Sequence, residues 1–121
     1  MDEPYILLID DNKSIRECLI WVLEEEGYFV ITASNGKEAL DFLEKNSSLP
    51  GLILLDVMMP IMNSWQFREE QRLNPRLQNI PTLILTAKIN VENQVFYPNE
   101  YLLAKPFDIE ELLSLIKKNT V

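Results

Sequence analysis

Histidine is absent from the 121-residue sequence, and cysteine occurs once, as Cys18. Without histidine and with a single thiol, the chain has neither a zinc-binding set of side chains nor a Ser-His or Cys-His pair, and it forms no internal disulfide. Any chemistry therefore depends on carboxylates, lysine and hydroxyls. We interpret Cys18 and Trp21, which lie in a stretch of helical pattern, as apolar core residues.

Long apolar runs and an excess of basic residues are also missing. No run approaches the roughly 18 apolar residues of a membrane span, and the acidic start MDEPY is unlike the basic start of a signal peptide. We therefore expect a cytoplasmic protein without a membrane segment.

The 19 acidic residues outnumber the 11 basic ones, which gives a net charge of -8. Because this charge repels a phosphate backbone and no Lys/Arg cluster offsets it, we expect no direct nucleic-acid binding.

The remaining composition, 47% hydrophobic and 25% charged, is typical of one compact domain, which we predict to span residues 1–121. Short β-rich runs alternate with longer segments of helical period, and this alternation predicts an α/β fold with a parallel, doubly wound sheet. The first, third and fourth runs are apolar throughout, so we expect them to be central strands. The predicted strands are Tyr5–Ile9, Tyr28–Ala33, Leu52–Asp56, Thr82–Thr86 and Tyr101–Ala104.

Capping residues mark the predicted helices between these strands. Ser14 with Glu17 three residues later predicts the start of the first helix, and Gly27 predicts its end. Asn35 with Glu38 and Asp108 with Glu111 predict the starts of the second and the last helix. A further helix is predicted over Trp65–Leu73, whereas the connection between the fourth and fifth strands has room for only a short helix.

Unusual residues gather where the predicted strands end. Asp10 and Asp11 follow the first strand, Asp56 ends the third, Thr86 ends the fourth and Lys105 follows the fifth. In a doubly wound sheet the first and third strands are neighbours, and ligands bind beyond the carboxyl ends of the strands. Three carboxylates brought together require a cation, and Mg²⁺ fits best because it accepts one or two carboxylates and leaves room for phosphoryl oxygens. Lysine and a threonine hydroxyl beside this cation predict a phosphoryl site.

These motifs resemble those of the response-regulator receiver domain. The resemblance is carried by four stretches that together cover essentially the whole chain: LLIDDN at 7–12, LILLDVMMPIMNSWQF at 52–67, LILTA at 83–87 and AKPF at 104–107. It implies a flavodoxin-like (βα)5 fold with the strand order 2-1-3-4-5. It also implies a signalling domain that is phosphorylated by a histidine kinase or phosphotransfer protein and binds a downstream protein.

The resemblance also assigns roles to individual residues. Asp56 matches the phosphoacceptor, and Asp11, Asp56 and the backbone carbonyl of Met58 match the magnesium ligands, with Asp10 acting through water. Thr86 and Lys105 match the switch hydroxyl and the phosphoryl-binding lysine. The remaining matches are the backbone amide of Ala87, which would donate to the phosphoryl group, Met58 and Lys88 at positions that tune dephosphorylation, and Pro106 after a cis peptide bond.

Two departures from the family pattern concern the last third of the chain. The family's switch aromatic lies three residues before the lysine, where this chain has Leu102, and Tyr101 lies one position earlier. A one-residue bulge before Lys105 would return Tyr101 to the switch position. The segment Ile89–Glu100 is short and contains Pro98, so we expect a shortened or irregular helix there.

Three other functions compete with a phosphorylation-operated module. The shortened segment favours an interaction module of receiver fold that responds weakly or not at all to phosphate. An aspartate-nucleophile phosphatase would need a second acid two residues after Asp56, where Met58 stands. A flavin carrier would need hydroxyls and free amides after the first strand, where Asp10 and Asp11 stand.

Overall fold

The computed structural model of the protein describes residues 5–56, 64–87, 98–105 and 107–120. Five strands form one sheet: β1 Tyr5–Ile9, β2 Phe29–Ala33, β3 Leu52–Asp56, β4 Thr82–Ala87 and β5 Glu100–Lys105. Within the described ranges there are four helices: α1 Lys13–Glu25, α2 Gly36–Lys45, α3 Ser64–Leu73 and α4 Ile109–Asn119. None of these helices combines the length and the apolar character that a membrane crossing needs.

The sheet is parallel throughout and has the order β2-β1-β3-β4-β5, which confirms the predicted α/β doubly wound fold. The three apolar runs predicted to be central lie in β1, β3 and β4, and the other two strands form the edges. β3 is buried along its whole length, because helices cover both of its faces. This buried strand fixes the position of Asp56 at its carboxyl end.

Two apolar layers separate the sheet from its helices. Leu19 and Leu23 of α1 and Leu112 and Ile116 of α4 pack on one face. On the opposite face, α2 and α3 contribute Ala39, Leu43 and Phe67. In each of α1, α2 and α4 the two apolar residues are four positions apart, so they form the buried stripe of an amphipathic helix.

The starts and ends of the helices differ in detail from the prediction. α1 begins after Asn12, whose side chain accepts a hydrogen bond from the backbone N–H of Ile15, and Ser14 lies inside the first turn. The prediction of Ser14 as the cap was therefore wrong. Asn35 caps α2 as predicted, and Gly27 follows α1 with a φ of 91°, a left-handed conformation that glycine adopts without strain. Asp108 precedes α4, but its side chain makes no capping hydrogen bond.

Cys18 and Trp21 are exposed, so their interpretation as core residues was wrong. The buried residues of α1 are Leu19 and Leu23. Trp21 lies two residues from each of them, which is roughly 200° around the helix axis and places its ring, 67% exposed, on the opposite side.

Candidate functional site

Three carboxylates converge at the carboxyl edge of the sheet. Asp10 follows β1, Asp11 is the next residue, and Asp56 ends the adjacent strand β3. One ligand oxygen from each of the three lies within 4.8 Å of the others. The predicted cluster is thus present, and its donor set is the all-oxygen kind that magnesium prefers.

Burial distinguishes the three acids. Asp10 is 0% exposed and Asp56 is 5% exposed, whereas Asp11 lies at the surface. The cluster therefore has two acids anchored in the fold and one that reaches toward solvent. This arrangement suits a cation that keeps several waters, because the exposed side remains open to them.

Hydrogen bonds from three parts of the fold hold the backbone and the Oδ1 of Asp10 in place. Its backbone N–H donates to the carbonyl of Ala33 at 3.1 Å, which ties the loop to β2. Its Oδ1 accepts from the backbone N–H of Asn12 at 2.9 Å, and its carbonyl accepts from Nη1 of Arg16 at 2.7 Å. The first acid of the cluster is thus fixed from β2, from its own loop and from α1.

The ends of β4 and β5 complete the same edge of the sheet. Asp56 pairs in register with Leu85, so Thr86 lies one residue further along β4. Thr86 pairs with Ala104, and Ala87 pairs with Lys105. The backbone thus brings the predicted threonine, amide and lysine positions to the edge that carries the acids.

Other predicted site residues lie outside the described part of the chain. These are Met58, Lys88 and Pro106, together with residues 88–97, where the short helix was expected. Tyr101 and Leu102 are described in β5: Tyr101 pairs with Leu83 and is 37% exposed, and Leu102 pairs with Ile84 and is half-buried.

The register of β5 rules out the alternative that returned Tyr101 to the switch position. Six successive pairs, from Thr82 with Glu100 to Ala87 with Lys105, run without an extra residue on either strand. A one-residue bulge before Lys105 would interrupt this ladder. Tyr101 therefore shares a face of the strand with Leu103, which is buried against α1 and α4, and Leu102 points to the other face.

Sequence reasoning missed two residues that organise the site, Asn12 and Arg16. Asn12 caps α1 with its side chain and binds Asp10 through its backbone. Arg16 follows four residues later, and this spacing returns its side chain over the loop that precedes the helix. An asparagine directly after two acids was a usable signal, because asparagine is among the preferred capping residues.

A surface groove between α2 and the loop after α3 lies apart from this edge. It is lined by charged, polar and apolar side chains, among them Leu40, Glu70, Leu73 and Arg76, and contains none of the predicted site residues. The convergence of acids, and not the size of a groove, therefore identifies the candidate site.

The sequence matches the family model of the response regulator receiver domain over residues 6–117. It is 35% identical to response regulator Rre1 of Synechocystis sp. over 97% of this chain, and 37% identical to an uncharacterized 14.6 kDa protein of Leptolyngbya boryana over 93% of it. The matched regions make up 52% of the Rre1 protein and 87% of the Leptolyngbya protein, so this chain spans about half of the former's length. The structure superposes on the chemotaxis response regulator CheY4 of Vibrio cholerae with a TM-score of 0.84 and 30% identity, covering 97% of this chain and 98% of that one.

Proposed function

Because the chain belongs to the response regulator receiver domain family, we propose that it is a signalling module phosphorylated on Asp56 in a magnesium-dependent reaction. The observation that carries the proposal is the meeting of Asp56, at the end of a buried strand, with Asp10 and Asp11. Receiver domains are signalling domains rather than enzymes in the usual sense. The phosphodonor is a histidine kinase or phosphotransfer protein, and the receiver domain signals by binding a downstream protein.

Asp56 supplies the nucleophile. One of its carboxylate oxygens forms a bond to the phosphorus of the donor while the bond from phosphorus to the donor's leaving nitrogen breaks, and that nitrogen keeps the electron pair. The strand holds the carboxylate rigidly, which matters because positioning contributes much of the rate of phosphoryl transfer.

Asp11, Asp56 and the carbonyl of Met58 would hold the magnesium ion, and Asp10 would act through water. When bound, the ion offsets the charge of the acids and of the phosphoryl oxygens. The Thr86 hydroxyl and the Ala87 amide donate to phosphoryl oxygens, and the Lys105 ammonium pairs with them. These assignments rest on the family match and on the strand ends that share one edge of the sheet.

The first prediction is that Asp56 alone accepts phosphate. Incubating the protein with magnesium and a small-molecule acyl phosphate should add the mass of one phosphoryl group, and chelating the magnesium should prevent this. Asp56→Asn should show no added mass because it lacks the nucleophile. Asp41→Asn is the matched control, since Asp41 is an exposed acid of α2 paired with Lys37, and it should be modified like the wild type. Modification that persists in Asp56→Asn places the acceptor elsewhere.

The register of β5 favours a second candidate function, an interaction module in which phosphorylation changes the β5 surface little. The unbroken ladder leaves Leu102, and not an aromatic, at the position that the family uses for its switch. A leucine lacks the aromatic ring whose rotation follows the threonine hydroxyl in the family.

The second prediction separates these two candidates. Amide hydrogen exchange of phosphorylated and unphosphorylated protein should differ little over β5, while the loop containing Asp10 and Asp11 becomes more protected. A large change in protection across residues 100–105 on phosphorylation would favour the switching module instead. The Asp56→Asn protein treated in the same way provides the baseline.

A further inference from the structure

Arg16 contacts the acid cluster without being one of its ligands. Its Nη1 donates to the backbone carbonyl of Asp10 at 2.7 Å, a short distance of the kind found when the donor is charged. Its backbone N–H donates to the carbonyl of Asn12 at 3.0 Å, so the same residue belongs to the first turn of α1 and holds the loop in front of it.

The loop that Arg16 holds is only three residues long. Asp10, Asp11 and Asn12 connect the end of β1 to the start of α1, and two of them carry the acids of the cluster. The carbonyl of Asp10 lies at the start of the peptide that leads to Asp11. Fixing this carbonyl therefore fixes the peptide that joins the two acids, and with it the backbone from which the buried Asp10 carboxylate and the exposed Asp11 carboxylate extend.

We propose that Arg16 is a positioning residue for the magnesium site, acting through Asp10; this inference rests on the proposed function. Two effects of the guanidinium oppose each other. Its positive charge repels a divalent cation, whereas its hydrogen bond keeps the acids in the arrangement that the cation needs. The anchoring effect dominates, because the bond reaches a completely buried residue, whereas Arg16 itself is only partly buried and salt screens part of its charge.

The opposite signs of these effects provide the test. Magnesium chloride is titrated into the full chain by calorimetry. Arg16→Met should weaken magnesium binding by about 10-fold or more, the range seen when residues that orient metal ligands are removed. Arg16→Lys keeps the charge but loses the planar fork of donors, so its affinity should lie between the two.

Lys13→Met is the matched control for charge. Lys13 lies in the same turn of α1, is exposed and pairs with Glu17, so its replacement removes one positive charge without touching Asp10. Magnesium binding should stay the same or tighten slightly in this variant. The weakening in Arg16→Met should also persist at high potassium chloride, where effects of charge alone are screened.

Each outcome decides the proposal. Equal or tighter magnesium binding by Arg16→Met, with wild-type protein that binds normally, overturns the role of Arg16 and leaves the proposed function intact. Wild-type protein that neither binds magnesium nor gains phosphoryl mass overturns both. If thermal unfolding shows that Arg16→Met does not fold, Arg16→Lys decides: reduced affinity supports the role, and wild-type affinity overturns it.

Discussion

The hydroxyl group of Tyr5 connects β1 to the loop that precedes β3. It donates to the carbonyl of Ser48 at 2.7 Å, and its ring packs edge-on against Phe42, with the ring centres 6.0 Å apart. Burial raises the pKa of this hydroxyl above its ordinary value of 10.0, and the positive charge of Arg76 opposes part of that rise. The folded protein therefore keeps the Tyr5 proton at pH values where the unfolded chain has begun to lose it.

The third prediction concerns alkaline unfolding. Because the folded pKa of Tyr5 is raised, its contribution to stability is complete below pH 10.0 and is lost as the pH rises from there through the folded pKa. Tyr5→Phe removes the ionisable hydroxyl and therefore this loss of stability at high pH. At neutral pH the variant should have a free energy of unfolding lower by about 1 kcal/mol, because it lacks the hydrogen bond. Urea unfolding at about pH 8 and about pH 11 should show a smaller decrease in the free energy of unfolding for the variant. Equal decreases in both proteins would contradict the prediction.

Among the elements, α1 illustrates how local signals compete. Asn12 and Ser14 are both good capping residues, and the spacing of Ser14 and Glu17 fits a capping box. The structure favours Asn12, which also makes a tight turn with the Oδ1 of Asp10. The position of the buried acid, fixed by long-range pairing of β1, therefore decided where the helix begins.

The fourth prediction tests this cap. Asn12→Ala should lower the free energy of unfolding by about 1 kcal/mol, because it removes the acceptor of the Ile15 N–H and keeps the backbone N–H that binds Asp10. Ser14→Ala should change it by less than about half that amount, as expected for an exposed position inside a helix. Urea denaturation of both variants makes the comparison. A larger loss in Ser14→Ala would show that Ser14 is the effective cap.

Strand prediction succeeded where apolar runs are buried on both sides. β1 and β3 begin and end at the predicted residues, because a continuous apolar run of only about five residues favours a strand covered on both faces over a helix. β5 is one residue longer at each end than predicted, since Glu100 and Lys105 are charged and carry no strand signal. Their inclusion depends on pairing with β4, which a local pattern does not encode.

At the scale of the whole molecule, the sheet separates two polar regions. The acids gather at the carboxyl edge, and this convergence was predictable because the first and third strands are neighbours in a doubly wound sheet, whose ligands bind beyond the carboxyl ends of the strands. A partly buried polar network lies at the amino ends of β4 and β5. Gln71 donates to the carbonyls of Leu77 and Ile80, and Asn99 donates to those of Gln78 and Ile80.

An ion pair between α3 and β5, which sequence analysis did not predict, lies at the same end of the sheet. Nε and Nη2 of Arg68 each lie 2.7 Å from an oxygen of Glu100, and both side chains are less than 5% exposed. The partners are 32 residues apart, so no local spacing reveals the pair. Arg68 directly follows Phe67, the residue of α3 that packs in the core. The helical pattern alone does not show whether the Arg68 position is buried.

The fifth prediction is that removing one partner of this pair lowers the free energy of unfolding far more than replacing both partners with apolar residues. Arg68→Met leaves the Glu100 carboxylate buried without its guanidinium, which should lower the free energy of unfolding by about 3–5 kcal/mol. The double variant Arg68→Met with Glu100→Leu should recover most of this loss, because two apolar side chains of similar size need no compensating charge. Lys37→Met breaks an exposed pair and should cost less than about 1 kcal/mol. Urea unfolding of the wild type, Arg68→Met, Glu100→Leu and the double variant gives the coupling energy. Additive losses from the two buried substitutions would show that Arg68 and Glu100 stabilise the fold independently.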